Sequence, residues 1–175
     1  MQARILCRRG ARSAAALALA CGLGAGGTAY GGDALLDTLP DDKLITLGAS
    51  AEESEHTVTI FTDVLCPHCR ALHRDLDFFL EDGLRVRYAA LPVIDGSREI
   101  MADVWCSDSP EAALEAAMAG DEEAVTAEEG CQAPLDAHQQ VAEQSGANAV
   151  PAMVDEDGEV AFGHETILDR IEEAL

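Results

Sequence analysis

Val58-Thr-Ile-Phe-Thr-Asp-Val-Leu-Cys66-Pro67-His68-Cys69-Arg-Ala-Leu-His-Arg-Asp-Leu-Asp77 joins a β-branched run to a helical pattern, and a cysteine pair spaced by two residues sits on the seam. Residues 58–61 read as a buried strand and 67–80 as the helix that follows, closed by Gly83. The first turn of a helix leaves backbone N–H groups unpaired and carries a partial positive charge, so a cysteine sulfur at its start is favoured as thiolate. Cys66 is therefore the expected nucleophile. Cys69 lies one turn further on, on the same face, within reach of a mixed disulfide formed by Cys66. Pro67 takes the first helical position, where its missing N–H costs nothing. His68 is suited to donate a hydrogen bond or a positive charge to the Cys66 thiolate, which stabilises the reduced form and makes the disulfide a stronger oxidant. The alternative is a solvated loop histidine.

Outward from this seam the segments alternate regularly. Residues 33–42 read as a short lead-in, 43–47 as a strand and 48–55 as a turn. Residues 84–88 alternate apolar and polar side chains before running into Ala89-Ala-Leu-Pro92, a second core strand reached by a βα crossover. Residues 97–120 carry a helical pattern (Ile100, Met101, Val104, Trp105, then Ala112, Leu114, Ala117, Met118) broken near 107–110. Two helices are expected there, with Pro110 in the first turn of the second. An acidic loop spans 121–133, and 135–145 resume a helix stopped by Gly146. Val150-Pro-Ala-Met-Val154 and Glu159-Val-Ala-Phe162 flank Asp155-Glu-Asp-Gly158, a β-hairpin signature. Residues 165–175 close the chain as a helix with Ile167, Leu168, Ile171 and Leu175 on one face.

The 175 residues include 11 Lys/Arg and 33 Asp/Glu, a net charge of −22. Residues 1–29 hold Arg4, Arg8, Arg9 and Arg12 and no acid, ahead of a small-apolar run over 13–25. That pattern is a cleaved secretory signal peptide, because the run is about 12 residues long and a spanning helix needs roughly 20. An ordinary basic leader is preferred over a twin-arginine signal at Arg8-Arg9. Cys21 in Ala18-Leu-Ala-Cys21-Gly22 offers lipid anchoring as a minority alternative. Cleavage leaves about 146 residues, one domain with a real core. The expected division is 1–29 signal peptide, 30–42 lead-in and 43–175 catalytic domain.

Loss of the four arginines leaves seven Lys/Arg against 33 Asp/Glu, so the mature charge becomes −26. No nucleic-acid surface is compatible with it. Acids spread through Glu52-Glu53, Glu81-Asp82, Asp121-Glu122-Glu123, Glu128-Glu129 and Asp155-Glu156-Asp157 read as a solvated shell suited to high external salt. Cys7 and Cys21 fall in the signal peptide, leaving Cys66, Cys69, Cys106 and Cys131. Four cysteines permit three pairings, and taking 66–69 as the local pair leaves 106–131 as a structural bond. It closes a loop of about 25 residues, worth roughly 3.5 kcal/mol on chain-entropy grounds. Two buried free thiols are the alternative.

Phe61-Thr-Asp-Val-Leu-Cys-Pro-His-Cys69, Val86-Arg-Tyr-Ala-Ala-Leu-Pro92, Val104-Trp-Cys106, Met118-Ala-Gly120 and Val150-Pro151 together resemble the catalytic domain of the DsbC/DsbG periplasmic disulfide isomerases, over roughly residues 43–175. The resemblance implies an α/β thioredoxin fold with a helical insertion between the second core strand and the hairpin. It also implies a cis Val150–Pro151 bond facing the cysteine pair, with the Val150 backbone pairing to an extended substrate segment; the alternative is a trans proline at a strand edge. Implied partners are cysteine-containing exported proteins and a membrane or periplasmic redox partner, with no cofactor, in the periplasm. The chain departs from this family in two ways. Pro67-His68 and the Val150 before the proline resemble the DsbA oxidases. About a dozen residues separate the signal peptide from the first strand, too few for an N-terminal dimerisation domain, so a monomer is expected and oxidase versus isomerase or reductase stays open.

A CxxC pair is also half a zinc site, but Cys106 and Cys131 do not form a second CxxC, and no metal is assigned. A second hypothesis is a non-catalytic module holding soft Cu(I) through Cys66 and Cys69, with His68 as an optional third ligand. Asp63 is read as a capping or turn carboxylate. Position 60, where some thioredoxins carry a buried acid, is Ile, so no carboxylate relay for a proton is evident. Arg70 and His73 are expected to be solvated, and His56, His138 and His164 receive no role.

Overall fold

The chain is described by a computed structural model over residues 35–175. The expected signal peptide, with Cys7 and Cys21, lies outside the described residues. Five strands, β1 (Ile45–Gly48), β2 (His56–Thr62), β3 (Leu84–Ala90), β4 (Ala152–Val154) and β5 (Val160–Phe162), form one sheet in the order β1-β3-β2-β4-β5. Helix α1 (Pro67–Leu80) crosses from β2 to a parallel β3, in register from His56 opposite Leu84 to Thr62 opposite Ala90. The remaining neighbours are antiparallel. Helices α2 (Ser97–Trp105), α3 (Pro110–Ala119) and α4 (Leu135–Ser145) are inserted between β3 and the β4–β5 hairpin, and α5 (His164–Ala174) closes the chain. This is the α/β arrangement implied by the resemblance. β2 starts two residues before the apolar run because pairing to β3 carries His56 and Thr57 into the ladder, and the last helix starts one residue early, at His164.

Alternation along β3 divides the interior. Leu84, Val86, Tyr88 and Ala90 face a core shared with Leu72 and Leu76 of α1, Met101 and Val104 of α2, Leu114 and Ala117 of α3, and Ile167 and Ile171 of α5. On the opposite face Ala89 joins Phe61, Ala152 and Val154 against Val141 and Ala142 of α4 and Leu36 and Leu39 of the lead-in. Arg85 and Arg87 lie on that second face and ion-pair with Asp41. Where β1 ends, Gly48 has φ +84 and a Cβ there would stand 2.2 Å from the Leu84 carbonyl oxygen, so only glycine fits.

His138 corrects an expectation, for it is fully buried and bridges three segments. Its Nδ1 accepts from Ala90 N–H at 3.0 Å, so Nε2 carries the proton and donates to the Lys43 carbonyl at 3.0 Å. Burial holds its pKa down to about 4, so the ring is neutral. The same carbonyl accepts from Trp105 Nε1 at 3.1 Å. Cys106, just after α2, is disulfide-bonded to Cys131 with a Cα–Cα distance of 5.7 Å, which pins the acidic loop to the insertion.

Candidate active site

β2 delivers Thr62 and Asp63 to the point where the chain turns into α1. Asp63 is completely buried, and its carboxylate organises the turn. Oδ1 accepts from Leu65 N–H at 2.9 Å; Oδ2 accepts from Val93 N–H at 2.8 Å, Ile94 N–H at 2.9 Å and Ser97 Oγ–H at 2.8 Å. The turn before the cysteines is thereby tied to the loop after β3. The expected turn carboxylate thus reaches across to a segment some thirty residues away, which no local pattern discloses.

Cys66 is the N-cap of α1, in an extended conformation (φ −77, ψ 120) with no side chain capping the first turn, and its carbonyl accepts the first helical bond from Arg70 N–H at 3.0 Å. Pro67 follows at the start of the helix. Cys66 is 6 % exposed and Cys69 1 %, and both are free thiols. The Cys66 thiol points at the Val150 carbonyl oxygen, 4.0 Å away, and the Val150–Pro151 bond is cis. Burial pushes the Cys69 thiol up to about 12; the Asp63 backbone and the Thr62 hydroxyl pull it back, and Cys66 adds a smaller upward push.

Next to Val150, which faces Cys66, lies an open cleft of about 500 Å³ lined by His68, Val150, Pro151, Gly163, His164, Glu165 and Thr166. The fold therefore gathers Cys66, Cys69, Pro67, His68, Val150 and Pro151 at one end of the molecule. Cys106 and Cys131 are bonded to each other, apart from the cysteine pair. Among the described residues no group of three or more His, Cys, Asp or Glu side chains is placed to hold a metal ion.

Two side chains expected in solvent are not there. Arg70 donates through Nε to the Val64 carbonyl at 2.6 Å, and through its terminal nitrogen to the Ala117 carbonyl at 3.2 Å and Glu122 at 2.6 Å, locking α1 to α3. His73 is 5 % exposed, with Nδ1 3.0 Å from Tyr88 Oη and Nε2 3.2 Å from Glu115 Oε1. A signal for it was present: the buried face of α1 is Cys69, Leu72, His73 and Leu76, a three-and-four spacing that puts the histidine on the apolar stripe.

Residues 46–168 match the family model for the thioredoxin-like domain. The chain belongs to the thioredoxin-like domain family. Within that family, this thioredoxin-like chain is 31% identical over 133 residues to the thiol:disulfide interchange protein DsbC of Dickeya dadantii, covering 74% of this chain and 53% of the relative. The chain spans about half the length of the curated relatives it matches. Solved thioredoxin-like neighbours include a disulfide interchange protein from Neisseria gonorrhoeae (TM-score 0.63, 19% identity, 78% of this chain and 98% of that one). A periplasmic thioredoxin-like protein from Salmonella enterica serovar Typhimurium gives a TM-score of 0.61 at 20% identity, covering 78% and 92%. At those identities the two structures speak for the fold.

Proposed function

We propose that the chain is a thiol:disulfide oxidoreductase that exchanges disulfides with proteins through Cys66 and Cys69. The observation that carries this reading is the setting of Cys66, an N-cap thiol facing the Val150 carbonyl beside an open cleft, with a buried partner thiol one turn behind. Burial keeps Cys69 protonated, which leaves Cys66, at the helix start, as the attacking sulfur. As an oxidase, a substrate thiolate attacks Cys66 Sγ of the Cys66–Cys69 disulfide and a second substrate thiol resolves the mixed disulfide. As an isomerase or reductase, reduced Cys66 attacks a substrate disulfide and Cys69 releases it. Both directions use the same two sulfurs, and the redox partner sets which one runs.

In this reading Pro67 starts the helix, His68 on the cleft wall supports the Cys66 thiolate, and the Val150 backbone beside Pro151 takes an extended substrate segment as an added strand. The similarity to DsbC supports protein disulfides as substrate, and the periplasmic Salmonella neighbour supports exported, cysteine-containing substrates and a periplasmic site of action for the domain over 43–175. Among the described residues no helix is long and apolar enough to cross a membrane. The test is catalysis of insulin reduction and of reduced-ribonuclease refolding. The wild type accelerates at least one, Cys66→Ser loses it, and Cys69→Ser accumulates substrate-linked mixed disulfides on non-reducing gels. Undiminished activity in Cys66→Ser overturns the reading.

A further inference from the structure

Both cysteines lie inside a loop that a single side chain closes. Arg70 follows Cys69 directly; its backbone N–H donates to the Cys66 carbonyl at 3.0 Å, and its Nε reaches back to the Val64 carbonyl at 2.6 Å. Residues 64–70, with Cys66 and Cys69 among them, are thus held as a ring by a contact that the exchange reaction has not used. The peptide unit joining Val64 to Leu65 is gripped at both edges, because its carbonyl accepts from Arg70 while its N–H donates to Asp63 Oδ1 at 2.9 Å. A peptide unit is planar, so hydrogen bonds on its two opposite edges fix its orientation. Cys66 is the next residue, and its own N–H donates to the Asp63 carbonyl at 3.0 Å.

The far end of Arg70 is anchored outside this loop, on the helical insertion. Its terminal nitrogen donates to the Ala117 carbonyl at 3.2 Å and to Glu122 Oε1 at 2.6 Å. Ala117 lies in the last turn of α3, where carbonyls lack intrahelical donors and the helix end carries partial negative charge, so a guanidinium is well placed there. Gly120 ends that helix with φ +87, and a Cβ on it would stand 3.4 Å from the guanidinium. The insertion therefore offers α1 a seat for a cation, and Arg70 fills it.

We propose that Arg70 is a positioning residue for the resolving step, holding Cys66 Sγ where Cys69 can attack it; the proposal rests on the exchange reaction described above. In that step the Cys69 thiol gives its proton to solvent and its sulfur attacks Cys66 Sγ. The Cys66–Cys69 bond forms, the Cys66–substrate bond breaks, and the electron pair departs on the substrate sulfur, which water protonates. A disulfide closes only over a narrow range of Cβ separation and dihedral angle. Holding the Val64–Leu65 plane confines the chain that enters Cys66 and raises the effective concentration of Cys69 at its sulfur. Attack by Cys66 on an outside disulfide makes no such demand, since the incoming molecule adjusts to the sulfur. Arg70 thus serves the second step and spares the first.

The experiment is a stopped-flow reaction of the reduced full chain with an aromatic disulfide at neutral pH, read as two releases of the aromatic thiolate. The first reports Cys66 attack and the second Cys69 resolution; a glutathione equilibrium gives the constant for closing Cys66–Cys69. In Arg70→Met, which keeps the apolar stem and loses the guanidinium, the second release slows about tenfold and the closing constant falls by the same factor, with the first release unchanged. Glu122→Gln slows the second release about threefold and adds nothing further in the Arg70→Met background, because both changes break one contact. A wild-type second release and closing constant in Arg70→Met, whatever its loss of stability in urea, overturn the assignment and leave the exchange reaction standing. Equal slowing of both releases overturns it too. Should Arg70→Met fail to fold, Glu122→Gln decides, and a wild-type second release there has the same force. A first release retained in Cys66→Ser overturns the exchange reaction itself.

Discussion

Cys69 and Cys66 differ in what surrounds them more than in what they are. One sulfur caps the start of α1 against the Val150 carbonyl; the other is enclosed among apolar side chains, with burial pushing its thiol up to about 12 from an ordinary 9.0. In Cys66→Ser, which leaves Cys69 as the free thiol of the domain, thiolate absorbance is expected to show no step below about pH 10. A step near 9 would mean that the Cys69 side chain is open to water. At this scale the sequence was informative about the cysteines and silent about their neighbours. A CxxC pair announces itself by spacing, whereas the Tyr88 hydroxyl that meets His73, and the Lys43 carbonyl that meets His138, belong to segments brought near only by folding.

At the scale of elements, the strands and helices were legible because each carries its own apolar period, two in β3 and three-to-four in α1. The insertion was legible as helices and a loop; of the two devices that fasten it, the disulfide was expected from the cysteine count and the histidine was not. One is the Cys106–Cys131 bond, separated by 25 residues. Replacing both cysteines with alanine is expected to lower unfolding free energy in urea by about 3 kcal/mol with Cys66–Cys69 chemistry retained. The other is His138, which links α4 to β3 and to the start of β1. The unfolded chain binds a proton near pH 6.5 and the folded one only near 4, so stability is whole above 6.5 and falls as pH drops toward 4. Between pH 7 and 5 this imidazole alone removes about 2 kcal/mol. His138→Gln is expected to start less stable at pH 7 and to show a flatter decline. An unchanged slope of urea midpoint against pH would assign the decline to other groups.

Across the whole molecule charge is the dominant surface property. Six of the seven Lys/Arg in the described residues are ion-paired, to Asp42, Glu122, Asp41 (twice), Asp136 and Asp155, and the 33 acids of the sequence far outnumber them. Exposed pairs contribute about 0–1 kcal/mol each, so screening them loses little while screening the repulsion gains more. Raising sodium chloride from about 0.05 to 0.5 M is expected to raise the melting temperature by several degrees; a fall would mean that the pairs outweigh the repulsion. Local opening follows a different logic. Since a single Asp63 carboxylate accepts the amides of Leu65, Val93 and Ile94, the turn before the cysteines and the loop after β3 breathe as one cooperative unit. Those three amides are expected to exchange with deuterium at a common rate, and to lose protection together in Asp63→Asn, while the Ala90 amide, held by His138, keeps its own.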